Sequence, residues 1–294
     1  MHLTPVDELR DEVREIQRLL EEQVYIADAS VATAVYLSMA LGKPLLIEGP
    51  AGVGKTEIAK ALASALNTKL IRLQCYEGLD ATTALYEWNY PKQLLHLKLE
   101  ESSAVSEAEK EAAIFSEAFL LKRPLLQAIT DHERAPVLLI DEIDRSDEEF
   151  EAFLLEVLSD FQVTIPEVGT ITATHRPHVV LTSNRSRDLS DALRRRCLYH
   201  WIDYPSLDKE LAIVRAKVPG IGEALSRRVT ELMQSTRTMS LSKIPGVAET
   251  LDWANALVAL KATDLDDELM DETIGCFLKD EADIALFKTQ LSTD

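Results

Sequence analysis

A chain of 294 residues, 46% apolar and 28% charged, has the length for two domains and the apolar content for an ordinary buried core. Its formal net charge of −19 argues against nucleic acid as a partner, because a duplex repels a surface of that sign; Arg194-Arg195-Arg196 is a local basic exception. Three widely spaced cysteines without CxxC spacing suggest neither a disulfide framework nor a zinc site, and no apolar run approaches the roughly 18 residues of a membrane span, so a cytoplasmic protein without a transmembrane segment is expected.

Val6, Leu9, Val13, Ile16 and Leu20 recur at three- and four-residue spacing, which predicts an amphipathic helix with an acidic outer face. A second helix is predicted over 30–41, and between the two Tyr25 and Ile26 offer an apolar slot for a purine base. Pro44-Leu45-Leu46-Ile47-Glu48 reads as a short buried parallel strand. It runs into Gly49-Pro50-Ala51-Gly52-Val53-Gly54-Lys55-Thr56, which completes G-x-x-x-x-G-K-[ST], and a helical pattern follows from Lys55 to Leu66. Strand, loop and helix are the context this motif requires. A loop that wraps a triphosphate must aim its N–H groups inward, which favours glycine. The Lys55 amine is expected to reach the β and γ phosphates and the Thr56 hydroxyl to join a Mg²⁺ shell, with the first helical turn through Glu57 presenting N–H groups to the anion.

Residues 69–75 read as a second strand. Over 86–97 (YEWNYPKQLLHL), alternating bulky residues around Asn89-Tyr90-Pro91-Lys92 predict a hairpin, and the acidic stretch 101–111 a surface loop or exposed helix. A helix over 124–131 leads to Val137-Leu138-Leu139-Ile140, a central strand covered on both faces. Asp141 and Glu142 follow at once, at the sheet edge where such proteins bind ligands. Asp141 is placed to hold Mg²⁺ and Glu142 to deprotonate an attacking water; acids that stabilise a helix N-terminus are the alternative. A helix over 146–160 and a second hairpin over 162–173 precede a strand over 178–183 that ends at Asn184. Its amide serves either the attacking water or γ-phosphate, or an Asx-turn or helix cap.

A helix over 189–196 closes on three arginines before a strand over 199–202. There they favour the helix dipole, or, with a neighbouring subunit, Arg196 or Arg195 reaches a γ-phosphate in trans. His175 and His178 lack a third metal ligand nearby. Helical patterns over 209–218, 221–236 and 247–260, punctuated by Pro219-Gly220 and Pro245-Gly246, predict a helical second domain.

Taken in order, these motifs resemble the AAA+ ATPases over residues 25–260, and the two hairpin-like segments resemble the MoxR family within them. The phrases GPAGVGKTEIAKALA, YEWNYPKQLL and IPGVAETLDWANAL are similar to the branch linked to maturation of molybdenum-containing carbon monoxide dehydrogenase and related hydroxylases. The resemblance implies an α/β P-loop NTPase fold with a central parallel sheet, β-hairpin insertions and a C-terminal all-helical lid. Its expected division is an N-terminal helix over 1–23, an AAA+ domain over 24–205 and a lid over 206–294. It also implies a hexameric ring that hydrolyses ATP with Mg²⁺ at subunit interfaces and remodels a metalloenzyme client beside a von Willebrand factor A-domain partner. Gly49 to Thr56 match Walker A, Asp141 and Glu142 Walker B, Asn184 sensor 1, and Arg196, with Arg195 in reserve, the arginine finger. Where many relatives carry a sensor 2 arginine, this chain reads Gly246-Val247-Ala248-Glu249-Thr250, leaving Arg237 or another lid residue as substitute. The alternatives are a DNA-processing AAA+ motor, which the net charge disfavours, and a monomeric P-loop small-molecule kinase, which has no use for Arg196 in trans.

Overall fold

The computed structural model describes residues 5–100, 106–130 and 133–291. In chain order the first half forms α1 (Pro5–Glu22), α2 (Ala29–Leu41), β1 (Leu45–Glu48), α3 (Lys55–Ala65), β2 (Leu70–Gln74), α4 (Ala81–Leu85), β3 (Tyr86–Trp88), α5 (Tyr90–Leu99), α6 (Glu107–Ile114), β4 (Leu120–Lys122) and α7 (Pro124–Thr130). There follow β5 (Val137–Asp141), α8 (Glu148–Asp160), β6 (Gln162–Ile165), β7 (Gly169–Thr172), β8 (His178–Ser183), α9 (Asp191–Arg196) and β9 (Leu198–Trp201). The chain ends in α10 (Leu207–Lys217), α11 (Glu223–Arg237), α12 (Val247–Ala259), α13 (Asp267–Thr273) and α14 (Glu281–Leu291). Part of the predicted acidic stretch, 101–105, and Asp131 at the end of one predicted helix lie outside the described residues.

Five strands form the central sheet in the order β2-β5-β8-β1-β9. β5 is buried along its whole length, as its unbroken apolar run requires of a strand covered on both faces. It pairs in parallel with β2, Gln74 opposite Asp141, and with β8, Ile140 opposite Leu181. β1 and β5 are not neighbours; β8 lies between them, so the sheet order departs from chain order.

The chain divides into two compact units. Thr33–Ile47 with Leu62–His200 carries the sheet and a core that includes Leu46, Leu126, Ile140, Phe150 and Leu181. Met1–Ala32, Glu48–Ala61 and Trp201–Asp294 carry the glycine-rich loop and the C-terminal helices. The core of those helices centres on Trp253, whose ring lies 4.4 Å from Phe277, itself 5.5 Å from Phe287. Trp253 Nε1 donates to Thr273 Oγ1 at 2.8 Å, so the buried indole keeps its hydrogen bond.

The hairpin predicted over 86–97 does not form. β3 is a strand, but its antiparallel partner is β4, with Tyr86 opposite Lys122, and helices α5 and α6 lie between them. The signals taken for a turn are a helix start. Asn89 Oδ1 accepts from Lys92 N at 3.1 Å as an N-cap, and Pro91 stands in the first turn, where no intrahelical N–H is missed. The second predicted hairpin does form, with β6 and β7 antiparallel and Ile165 opposite Gly169. Gly169 has φ +97°, a left-handed conformation that glycine adopts without strain.

Candidate functional site

The glycine-rich loop leaves the carboxyl end of β1 and ends at the first turn of α3. Gly52 and Gly54 have φ of +74° and +94°, so the loop uses glycine where a Cβ is penalised. Gly49 is needed for a different reason: a Cβ there would stand 2.0 Å from the Ile202 carbonyl oxygen. Lys55 is buried, and its ammonium donates to the carbonyls of Gly49 at 2.8 Å and Pro50 at 2.6 Å. That positive charge, with the α3 N-terminus beginning at the same residue, makes the loop suited to a polyphosphate.

Three further candidate residues lie on this unit, Glu57, Tyr25 and Ile26. The Glu57 carboxylate is engaged by Lys60 at 2.6 Å and Lys217 at 3.0 Å. Burial opposes its ionisation, but those two lysines outweigh it and hold the carboxyl below its ordinary range. Tyr25 and Ile26 are half-buried. Burial first, then the carboxylates of Asp28 and Glu57, push the Tyr25 phenol above its usual range, so it stays neutral and an apolar wall remains its simplest use.

The start of α12 packs directly on the same loop. Ala248 N donates to Gly52 O at 3.0 Å, and Glu249 Oε2 caps Gly246 N at 2.8 Å. A Cβ on Gly246 would lie 2.8 Å from Ala51 O, so glycine at 246 permits this backbone approach. Arg237, the candidate for the sensor 2 place, is engaged among the C-terminal helices. Its guanidinium is buried and pairs with both oxygens of the fully buried Glu210 at 2.6 Å, while Nη2 reaches Thr250 Oγ1 at 2.9 Å and Nε the Pro245 carbonyl at 2.8 Å. With the Tyr204 ring at 5.1 Å, this arginine is a strut inside the helical unit.

In the sheet-bearing unit, Asp141 is the last residue of β5 and is buried. Its Oδ1 accepts from Thr182 Oγ1 at 2.5 Å; Oδ2 accepts from Arg72 Nε at 3.0 Å and Nη2 at 2.6 Å. Glu142 has φ +54°, and its N–H donates to the same Thr182 hydroxyl at 2.9 Å. A non-glycine residue held in left-handed backbone next to a buried carboxylate is a local cost that surrounding contacts must sustain. Glu142 Oε2 accepts from Gln74 Nε2 at 3.0 Å and lies 3.6 Å from Arg145 Nε.

Asn184 follows directly on β8 with an exposed side chain. Its loop is pinned from below by the buried Asp144, whose Oδ2 accepts from Asn184 N at 3.2 Å and from Ser186 N and Oγ at 2.8 and 2.7 Å. α9 starts on the Ser190 cap and ends in Arg194, Arg195 and Arg196. Arg195 and Arg196 are exposed; Arg196 Nη1 donates to Leu155 O at 3.2 Å, and Arg194 lies over the Tyr199 ring. Burial, then the carboxylates of Asp141, Asp144 and Glu142, push the Cys75 thiol up to about 12; burial alone does the same for Cys197. Among the described residues no group of three or more His, Cys, Asp or Glu is arranged to hold a metal ion.

Sequence reasoning missed Arg72, Gln74, Thr182 and Asp144. A signal for the first two existed: they alternate with Ile71 and Leu73 on a predicted strand, which places both polar side chains on one face. The donor chemistry fits the group the motifs imply. In the sheet-bearing unit the Asp141 carboxylate is a hard oxygen donor of the kind Mg²⁺ prefers; in the other, taken by itself, the loop supplies a hydroxyl on Thr56, a buried ammonium and glycine-enabled N–H groups suited to a nucleotide polyphosphate.

A family model described as "AAA domain (dynein-related subfamily)" matches residues 44–197. A Staphylococcus haemolyticus protein of uncharacterized role is 25% identical over 229 residues, covering 76% of this chain and 79% of its own. The chaperone protein ClpB 2 of Parasynechococcus marenigrum is 31% identical over 142 residues, 47% of this chain and 13% of that one. Among solved structures, the RuvB Holliday junction branch migration motor of Thermotoga maritima aligns with a TM-score of 0.46 and 20% identity, over 88% of this chain and 68% of that chain.

Proposed function

This chain belongs to the AAA domain family, in its dynein-related subfamily, and from that premise we propose that it is an ATP-driven remodelling motor of the MoxR type that assists metal-cofactor assembly in a metalloenzyme. It is an AAA+ ATPase with the α/β P-loop fold. ATP supplies the phosphoanhydride that is cleaved, and Mg²⁺ neutralises the charge that develops on it. Lys55 and the N–H groups of Gly52 to Thr56 bind the polyphosphate, and Thr56 and Asp141 hold the ion. Glu142 accepts the proton of the attacking water on its carboxylate, with Asn184 orienting that water. Arg196, with Arg195 beside it, serves a neighbouring copy in a ring; both are exposed at the end of α9, as delivery in trans requires. The contact of α12 with Gly52 gives the helical C-terminal region a direct way to follow the state of the loop.

The observation that carries the hydrolytic reading is the pair Asp141 and Glu142 at the carboxyl end of a fully buried strand, both tied to one threonine hydroxyl. Replacing Glu142 by Gln is expected to preserve ATP binding and to lower turnover by about a hundredfold or more, the usual worth of a general base. Turnover at the wild-type rate in E142Q removes Glu142 from this role. The metalloenzyme assignment is supported by the three sequence phrases noted above. Isolation of the nucleotide-locked E142Q protein together with a molybdenum hydroxylase and an A-domain protein would support it, and reproducible isolation without either would refute it.

A further inference from the structure

The two carboxylates assigned to hydrolysis share one cation that the motifs do not include. Arg72, on β2 next to β5, places Nε and Nη2 on Asp141 Oδ2, and the same Nη2 donates to Gln74 Oε1. A glutamine amide has one accepting and one donating end. With Oε1 claimed by the guanidinium, Gln74 must present its NH₂ group elsewhere, and that group meets Glu142 Oε2 at 3.0 Å. Arg72 thereby acts on Asp141 directly and on Glu142 through the orientation of Gln74. The planar, forked guanidinium is suited to this; an ammonium carries the charge without the geometry.

We infer that Arg72 is a positioning residue that braces both carboxylates and competes with the divalent cation for Asp141. The inference rests on the ATPase reading above and extends it to a residue outside the motifs. The Arg72 side chain is 50% exposed, so its field acts through a largely aqueous medium. At a dielectric near that of water and a separation of about 6 Å, removing one positive charge strengthens binding of a divalent ion about tenfold.

The test is the dissociation constant of Mn²⁺ in the presence of ADP, followed by electron paramagnetic resonance, for the wild-type chain, R72Q and R72K, together with their steady-state ATP kinetics. R72Q should bind Mn²⁺ about tenfold more tightly, yet turn over more slowly, because Gln74 is no longer held toward Glu142. R72K should keep an affinity near that of the wild type while sharing the fall in kcat, which separates charge from geometry and guards against a misfolded R72Q. Equal or weaker Mn²⁺ binding in R72Q, with intact binding in the wild type, overturns the competition. Unchanged kcat in both variants overturns the brace. Failure of the wild-type chain itself to bind Mn²⁺ with ADP would overturn the nucleotide reading, and this inference with it.

Discussion

Replacing Arg237 by Met tests whether this arginine is a strut or a nucleotide sensor. Its guanidinium makes four hydrogen bonds, two of them to Glu210, which has 0% exposure. In R237M the Glu210 carboxylate keeps Gln234 Nε2 and Thr250 Oγ1 as donors but loses its countercharge. Breaking a buried pair from one side costs about 3–5 kcal/mol, whereas replacing both partners by apolar residues is close to neutral. R237M should therefore lose about that much unfolding free energy in urea, and the double variant E210L/R237L should recover most of it. Trp253, fully buried in the same unit, gives a fluorescence reporter. Once R237M is folded, its nucleotide affinity should match the wild type, because none of the guanidinium's bonds described above goes to the glycine-rich loop itself. An R237M protein as stable as the wild type, or one that keeps its stability but loses nucleotide response, would refute the reasoning.

Thr182→Val keeps the shape of β8 but leaves a buried Asp141 oxygen and the Glu142 N–H without their shared hydroxyl, at about 1–3 kcal/mol for each group; ATP turnover should fall at least about tenfold with the fold retained, and an unchanged rate in a steady-state assay contradicts this. Gly49→Ala forces a Cβ to 2.0 Å from the Ile202 carbonyl, so nucleotide affinity measured by calorimetry should collapse, and wild-type affinity would show the loop is freer than it looks. Burial holds the His178 imidazole below its usual range. Its contribution to stability is thus complete above the unfolded value of about 6.5 and is lost as pH falls through the lower folded value. Urea unfolding from pH 7 to pH 5 should weaken less in H178Q than in the wild type, and parallel curves would rule out this histidine as a source.

Local chemistry announced much of the site. The glycines of the loop, the helical spacing after Lys55 and the unbroken apolar run before Asp141 each act within a few residues, so periodicity and turn chemistry were sufficient to read them. The same holds for the hairpin of β6 and β7 and for the helices that follow Ser206. Where local signals have two meanings, reading failed: Asn89 and Pro91 suit both a turn and a helix start, and the choice depended on β4 supplying a partner for β3 from 36 positions away, Trp88 lying opposite Leu120 and Tyr86 opposite Lys122. Only tertiary structure brought Arg72 to Asp141, 69 positions apart, and Thr182 to the same carboxylate from 41 positions away. It also brought Arg237 to the buried Glu210, 27 positions earlier. Strand order and register decide which side chains meet across the sheet, and helix packing decides which charge is covered. Neither quantity is encoded in the spacing of neighbours along the chain, because both depend on which distant segments lie side by side once the apolar surfaces are buried.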